Sequence, residues 1–109
     1  MLTFNLKKEW FEKIKSGEKT HEYRELKPYW TKRIDKEIKL LYKQYGLHAE
    51  DKFIITFMLG YPKNSEKDKI LKAIVKSIRT ENSGLDTDLK IDKPVYDIEF
   101  ELIKEVLDD

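Results

Sequence analysis

The chain has 109 residues, of which 39% are apolar and 39% are charged, and its formal net charge is +1. This length holds one core and is too short for two, so we expect a single domain over residues 1–109. The lack of cysteine excludes disulfides, thiolate catalysis and cysteine-ligated zinc. Neither a secretory leader nor a run of about 20 apolar residues is present, so we expect a cytoplasmic protein with no membrane partner.

The charges are unevenly distributed along the chain. Residues 1–48 carry 12 Lys and Arg against 7 Asp and Glu, a net of +5, whereas residues 49–109 carry 10 against 14, a net of −4. A basic half is compatible with a polyanionic ligand, because attraction to phosphate depends on local rather than total charge. The alternative is that halves of the sequence do not correspond to halves of the surface, and the asymmetry then has no functional meaning.

The first elements follow from local periodicity. Apolar and polar residues alternate over residues 2–7, which predicts a strand with one buried face. Apolar residues over 8–16 recur at helical spacings, and Gly17 follows them. Because glycine takes the left-handed conformation at little steric cost, Gly17 is predicted to end this helix in a tight turn.

Residues 19–25 then predict a second strand, the motif strand. Alternate side chains of a strand share a face, which predicts two groups: Thr20, Glu22 and Arg24 on one face, and His21 and Tyr23 on the other. The first group is either the hydrated face of an edge strand, where an ion pair contributes little, or the wall of a cleft.

Residues 29–45 carry the clearest helical pattern in the sequence. Their apolar residues are spaced four, four, three and four apart, with basic residues mostly on the opposite side. Pro28 suits the first turn of this helix, and Gly46 supplies its end. We expect the apolar stripe to cover the predicted sheet or one of its ends. The basic face is a hydrated surface unless it lies close to the motif.

The second half of the chain predicts three strands. A buried strand is predicted over 53–59, which residues 60–62 end, then a polar turn over 63–69, and a strand with an acidic outer face over 95–103. Residues 70–79 fit a helix or a strand, and their isoleucine and valine content favours a strand. Residues 81–92 have the composition of a loop. Five strands with two helices in the N-terminal half predict an α+β fold built on a small mixed barrel.

The residues around the predicted turn also match a family motif. Gly17, Lys19, Thr20, Glu22 and Arg24 reproduce the pattern Gly-x-Lys-Thr-x-Glu-x-Arg. This pattern resembles the signature that opens the ASCH (activating signal cointegrator homology) domains, and residues 2–30 resemble the opening strand, helix and motif strand of that family. The resemblance implies a PUA-like β-barrel of about five or six strands, with a strand over 70–79. It also implies that RNA or a nucleotide binds in a cleft beside the motif strand.

The chemistry of the motif side chains suits such a ligand. Lys19 can bind an anion or act as a base, and Arg24 can offer a planar fork to a phosphate or carboxylate. Glu22 can accept a base amino group or hold Arg24 in position. Four nearby aromatic residues can stack on a base: Tyr23, Tyr29, Trp30 and Tyr61. Trp30 is expected mainly in the core. The predicted ligand-binding residues are Gly17, Lys19, Thr20, Glu22, Tyr23, Arg24 and Tyr61.

Metal and cofactor chemistry is not supported by the sequence. His21 and His48 are the only histidines, 27 residues apart, and no carboxylates stand near them at a known ligand spacing. The serines lack the context of a nucleophile elbow, and the glycines form no phosphate loop. We therefore expect no metal and no cofactor.

The resemblance leaves an enzyme as the first alternative. Some small bacterial relatives are hydrolases that act on N4-acetylcytidine with a lysine, a threonine and a distant glutamate, and another is a ribonuclease. Their lysine corresponds to Lys19, but their threonine corresponds to Glu22, so the hydroxyl nucleophile is missing. Lys19 and Glu22 would be the catalytic pair of such an enzyme, with Glu22 as the base for water. The distant glutamate has three candidates: Glu66, Glu81 and Glu99.

The second alternative is a protein-interaction domain that uses the basic helix over 29–45. The missing hydroxyl nucleophile argues against the hydrolase interpretation. The sequence therefore favours an RNA- or nucleotide-binding domain.

Overall fold

The computed structural model describes residues 2–104, without the side chain of Glu50. In chain order the elements are β1 (Leu2–Leu6), α1 (Lys8–Lys15), β2 (His21–Glu25), α2 (Pro28–Tyr45), β3 (Ile54–Leu59), β4 (Ile70–Glu81) and β5 (Val95–Leu102). Two short 3₁₀ helices, Gly46–Asp51 and Lys67–Lys69, were not predicted. The α+β fold with both helices in the N-terminal half is confirmed. Within residues 2–104, neither helix combines the length and apolar character needed to cross a membrane.

The five strands form one mixed sheet in the order β1-β3-β4-β5-β2. β1 runs parallel to β3, and every other neighbouring pair is antiparallel. The sheet curves into a half-barrel, and β1 and β2 are its two outermost strands. The predicted opening strand and the predicted motif strand therefore lie at the two edges of the sheet.

The core fills the concave side of the half-barrel. Alternate residues of β1 point inward, and Phe4 at its centre is fully buried. The helices add Phe11 and Ile14 from α1 and Ile34 from α2, all of them buried. The predicted apolar stripe of α2 therefore covers the sheet, as expected from its spacing.

The ambiguous segment over 70–79 belongs to a strand, β4, which extends to Glu81. Ile70–Ile74 pair with β3 on one side, and residues 73–81 pair with β5 on the other, with an irregularity between Val75 and Ser77. The isoleucine spacing alone fits a helix equally well. The strand forms because two neighbouring strands supply backbone partners for this segment.

The turn after α1 has the conformation predicted for Gly17. Its φ angle is +87°, and an added Cβ would have no heavy atom within 4 Å, so glycine is required here for its conformation and not for space. The Lys19 backbone N–H donates to the Lys13 carbonyl at 3.0 Å. This bond keeps Lys19 with the helix end, and β2 begins at His21, two residues later than predicted.

The connection between β4 and β5 is a turn held together by hydrogen bonds and close packing. Gly84 forms an isolated bridge with Ile91, and the Thr87 hydroxyl donates to the Gly84 carbonyl at 2.7 Å. A Cβ at Gly84 would lie 2.6 Å from Val95 Cγ1, closer than packing allows. The turn therefore sits directly against the core, and Asp88 within it contacts Lys19.

Candidate functional site

Glu22 and Arg24 point into the half-barrel. They pair with Ile98 and Tyr96 of β5, both buried, so the shared face predicted for them is the concave one. The Glu22 side chain is only 6% exposed. Arg24 donates to Glu22 Oε2 from Nε at 3.0 Å and from Nη2 at 2.6 Å. The interpretation of this face as the hydrated surface of an edge strand is therefore wrong.

Lys19 reaches the same carboxylate from the turn. Its Nζ lies 3.4 Å from Glu22 Oε1, and it also donates to Asp88 Oδ2 of the β4–β5 turn. The rings of Trp10 and Tyr23 flank the ammonium, with centroids 5.5 and 5.2 Å away. With a side chain 9% exposed, Lys19 is a nearly buried cation enclosed by two carboxylates and two aromatic rings.

The four charges of this cluster balance. Lys19 and Arg24 supply two positive charges, and Glu22 and Asp88 supply two negative charges. A buried charge is costly unless it is paired, and here each ion has a partner of opposite sign. The consequence is that neither cation is free of a carboxylate, so the cluster as a whole is neutral.

Arg24 also joins three elements through its guanidinium. Its Cζ lies 5.0 Å from the ring centroid of Phe4 in β1 and 4.9 Å from that of Trp30 in α2. The Phe4 and Trp30 rings stack on each other with centroids 5.1 Å apart. Trp30 therefore packs against the core, as predicted, and also forms one side of the Arg24 site.

An open cleft of about 200 Å³ lies beside the cluster, between the edges of β1 and β2. We call it the motif cleft. Its lining combines charged, aromatic and amide side chains: Asn5, Leu6, Lys7, Trp10, Glu22, Tyr23, Arg24, Asp88 and Leu89. A second hollow of about 310 Å³ adjoins it and shares Trp10, Tyr23 and Asp88 with it. Lys19 lines this second hollow and not the motif cleft.

The other predicted ligand residues are placed differently. Gly17 and Thr20 line a third hollow of about 660 Å³ on the side of β5, with Phe100 in its wall. Thr20 lines the second hollow as well. Tyr61 lies in the turn after β3 with 92% of its surface exposed, and it lines none of the three hollows. Lys19, Glu22, Tyr23 and Arg24 are thus the predicted residues that the fold brings together.

In the described part of the chain, none of the three candidates for the distant glutamate forms a hydrogen bond or ion pair with Lys19. Glu66 accepts from the Lys63 backbone N–H and from Lys69 Nζ at 2.5 Å, and this backbone hydrogen bond and the lysine hold the pKa of Glu66 below its usual range. Glu99 accepts from the Ser77 hydroxyl at 3.4 Å. Glu81 ends β4, and no hydrogen bond or ion pair joins it to Lys19. The distant acid that contacts Lys19 is Asp88.

Sequence reasoning missed six residues that line the motif cleft: Asn5, Leu6, Lys7, Trp10, Asp88 and Leu89. Trp10 is one of the apolar residues over 8–16 whose spacing predicts α1, and its closeness to Gly17 in the chain is a signal that could have identified it. Asp88 lies 69 residues from Lys19 in a segment of loop composition, and no local pattern marks it.

His21 and Tyr23 belong to the opposite strand face, as predicted. His21 Nδ1 lies 2.6 Å from Asp97 Oδ1. The His21 and Tyr23 rings stack on each other with centroids 6.1 Å apart. Burial raises the pKa of the Tyr23 hydroxyl, and the nearby charges of Asp97, Asp88 and Glu81 raise it further. Among the described residues, no group of three or more histidine or acidic side chains is placed to hold a metal ion.

This pKa shift predicts a loss of stability at alkaline pH. Above a pH of about 10, an unfolded tyrosine ionises while Tyr23 in the fold keeps its proton, so the folded state binds more protons and the free energy of unfolding falls as pH rises. We expect Tyr23→Phe to lessen this fall in urea titrations taken across the alkaline range. Tyr42→Phe, at an exposed site on α2, is the matched control. Equal curves for the two variants would show that Tyr23 contributes nothing.

No protein-family model matches this chain, and no curated protein is similar enough to count as a match. The membership in the ASCH family predicted from the motif stays a prediction.

Proposed function

We propose that the chain is an ASCH-type domain that binds RNA or a nucleotide-like ligand in the motif cleft. The observation that carries the proposal is that Lys19 and Arg24 converge on Glu22, and that Glu22 and Arg24 line an open cleft. These residues come from a strand edge and a tight turn, and the cleft beside them has aromatic walls. An open concave site with a few convergent polar groups is the usual form of a ligand site.

The size and walls of the motif cleft suit a single nucleobase. Its volume of about 200 Å³ is below the range of about 300–1,000 Å³ for pockets that enclose drug-sized ligands. Trp10 and Tyr23 present ring surfaces, and stacking on aromatic side chains is the main way in which proteins hold an unpaired base. Phosphate groups would then lie outside the cleft.

One polar group of the site positions other side chains, and another is proposed to contact the ligand. Both Glu22 oxygens are occupied, one by Lys19 and one by Arg24, so Glu22 positions the two cations. Arg24 uses its Nε and Nη2 on Glu22, and its Nη1 belongs to the other edge of the guanidinium. With 22% of the side chain exposed, that edge is the proposed donor to a base carbonyl or a phosphate oxygen.

We expect Arg24→Ala to weaken ligand binding by about 10- to 100-fold, because a hydrogen bond to a charged group contributes about 1.5–3 kcal/mol. Titration with uridine 5′-monophosphate and with a uridine RNA dodecamer, followed by tryptophan fluorescence, measures this loss. The chain has two tryptophans, and both lie beside the cluster, so the signal reports on the site.

Arg79→Ala is the control for this measurement. It removes the same charge from an exposed position of β4, and we expect unchanged affinity. Circular dichroism on each variant checks that the fold is intact. Equal affinity of Arg24→Ala and the unchanged protein would remove Arg24 from the site, and no fluorescence change with any nucleotide or RNA would overturn the proposed function.

The hydrolase is the weaker candidate for a geometric reason. The position of the family threonine carries Glu22, whose oxygens both contact cations and so do not offer a free base to water. Incubation with N4-acetylcytidine and with unstructured RNA separates the two functions. Turnover that Lys19→Ala abolishes would favour the hydrolase over the binding domain.

A further inference from the structure

The exposed face of α2 carries a band of positive charge, which we call the basic band. All five of its members are exposed: Lys32, Arg33, Lys36, Lys39 and Lys43. Residues three and four apart are neighbours on a helix surface, so these side chains form one continuous stripe. Asp35 and Glu37 are the acidic residues of α2, which leaves the helix with a net charge of +3.

The basic band begins beside the motif cleft. Arg24 contacts Trp30, and the Trp30 ring meets the Tyr29 ring edge-on with centroids 4.9 Å apart. Arg33 lies over the Tyr29 ring, with its Cζ 3.5 Å from the ring centroid. Tyr29 is 51% exposed, so a ring and a guanidinium are presented together at the surface.

The band continues from there along the helix. Lys32, Lys36 and Lys39 line a shallow hollow of about 410 Å³, together with Asp35 and Leu40. Tyr29 and Lys43 are 14 residues apart, which corresponds to about 21 Å along a helix axis. The surface is therefore an elongated positive track with an aromatic platform at the end nearest the cleft.

We infer that the ligand is a single-stranded RNA whose phosphates lie on the basic band while one base enters the motif cleft. The inference rests on the proposed function and deepens it. The cluster at the cleft is neutral, because Glu22 and Asp88 offset Lys19 and Arg24, so it does not supply the charge that holds a polyanion. The basic band supplies that charge a short distance away.

This arrangement separates the two tasks of nucleic-acid recognition. Contacts to phosphate supply most of the affinity and position the strand, whereas contacts to a base distinguish sequences. A base can enter the motif cleft only if it is unpaired, which selects a single strand over a duplex. The half-exposed Tyr29 ring and the Arg33 guanidinium that lies over it together offer a stacking surface for the next base.

The test is the double variant Lys36→Gln/Lys39→Gln, measured with the uridine RNA dodecamer between about 50 and 200 mM salt. Each phosphate contact on a single strand contributes about 0.7 to the slope of log affinity against log salt, so the slope should fall by about 1.4. We expect affinity at about 0.1 M salt to fall roughly tenfold. Binding of uridine 5′-monophosphate, which reaches only the cleft, should not change.

Lys67→Gln/Lys72→Gln is the matched control, because it removes the same charge from exposed positions outside α2. If the monophosphate binds but the dodecamer binds no tighter, or keeps its salt slope in the α2 variant, the inference is wrong and the proposed function stands. If neither ligand binds, the proposed function itself fails. Poly-L-glutamate that binds as tightly as the dodecamer and loses as much affinity in the α2 variant would overturn RNA in favour of an acidic polypeptide.

Discussion

Glu22→Ala is expected to lower the free energy of unfolding by about 3–5 kcal/mol, because removing one partner of a buried ion pair leaves the other charges uncompensated. The Glu22 carboxylate holds Lys19 through one oxygen and Arg24 through the other. Without it, Lys19 keeps Asp88, but Arg24 loses the only carboxylate that pairs with it among the described residues. Urea unfolding followed by tryptophan fluorescence measures the change, with an unchanged slope as the check on two-state behaviour.

Glu101→Ala is the matched control for Glu22→Ala. Glu101 also lies on a strand and pairs with Lys76 at 3.1 Å, but its side chain is 70% exposed. A surface pair of this kind contributes about 0–1 kcal/mol, so the loss should be small. Glu22→Gln keeps the shape of the side chain and removes its charge, so it separates packing from electrostatics. Equal losses for Glu22→Ala and Glu101→Ala would refute a structural role for the buried cluster.

Phe4→Ala is expected to cost about 3–5 kcal/mol of stability, as for other large-to-small substitutions of a buried phenylalanine. Phe4 is fully buried, and its ring stacks on Trp30 and on Phe57, with centroids 5.1 and 5.8 Å away. The Arg24 guanidinium lies over the same ring. The substitution therefore opens a cavity in the core and removes one side of the Arg24 site.

Two measurements separate these effects. Urea unfolding gives the stability loss, and the emission wavelength of the tryptophans reports on the new exposure of Trp30. Tyr61→Ala removes an aromatic ring from a position that is 92% exposed, and we expect a change within about 0.5 kcal/mol. A Phe4→Ala protein as stable as Tyr61→Ala would contradict the packing described for β1.

The secondary structure was largely predictable because it is encoded locally. Alternation in residues 2–7 and helical spacing in 29–45 each identify one face of one element, and the structure buries those faces. The segment over 70–79 shows the limit of this reasoning. Its isoleucines satisfy both periods, and the strand is decided by β3 and β5, which pair with it from distant parts of the sequence.

The site was predictable only in part, for the same reason. The convergence of Lys19, Glu22 and Arg24 follows from a turn and a strand that are close in sequence. That Glu22 is buried could not be predicted, since exposed acidic residues are far commoner and the concave side of the sheet is defined by the whole fold. Asp88 depends on the β4–β5 turn, whose position against Val95 has no local signal.

The position of β1 and β2 at the two ends of the strand order has a consequence for association between molecules. Unpaired strand edges act as templates on which other chains can add, and they promote aggregation. Here the outermost strands turn toward each other across the motif cleft, and the Arg24 side chain lies over Phe4 in the seam between them. The two edges of the sheet therefore face a cleft lined by charged and aromatic side chains, and a strand from another molecule would have to displace these side chains to pair there.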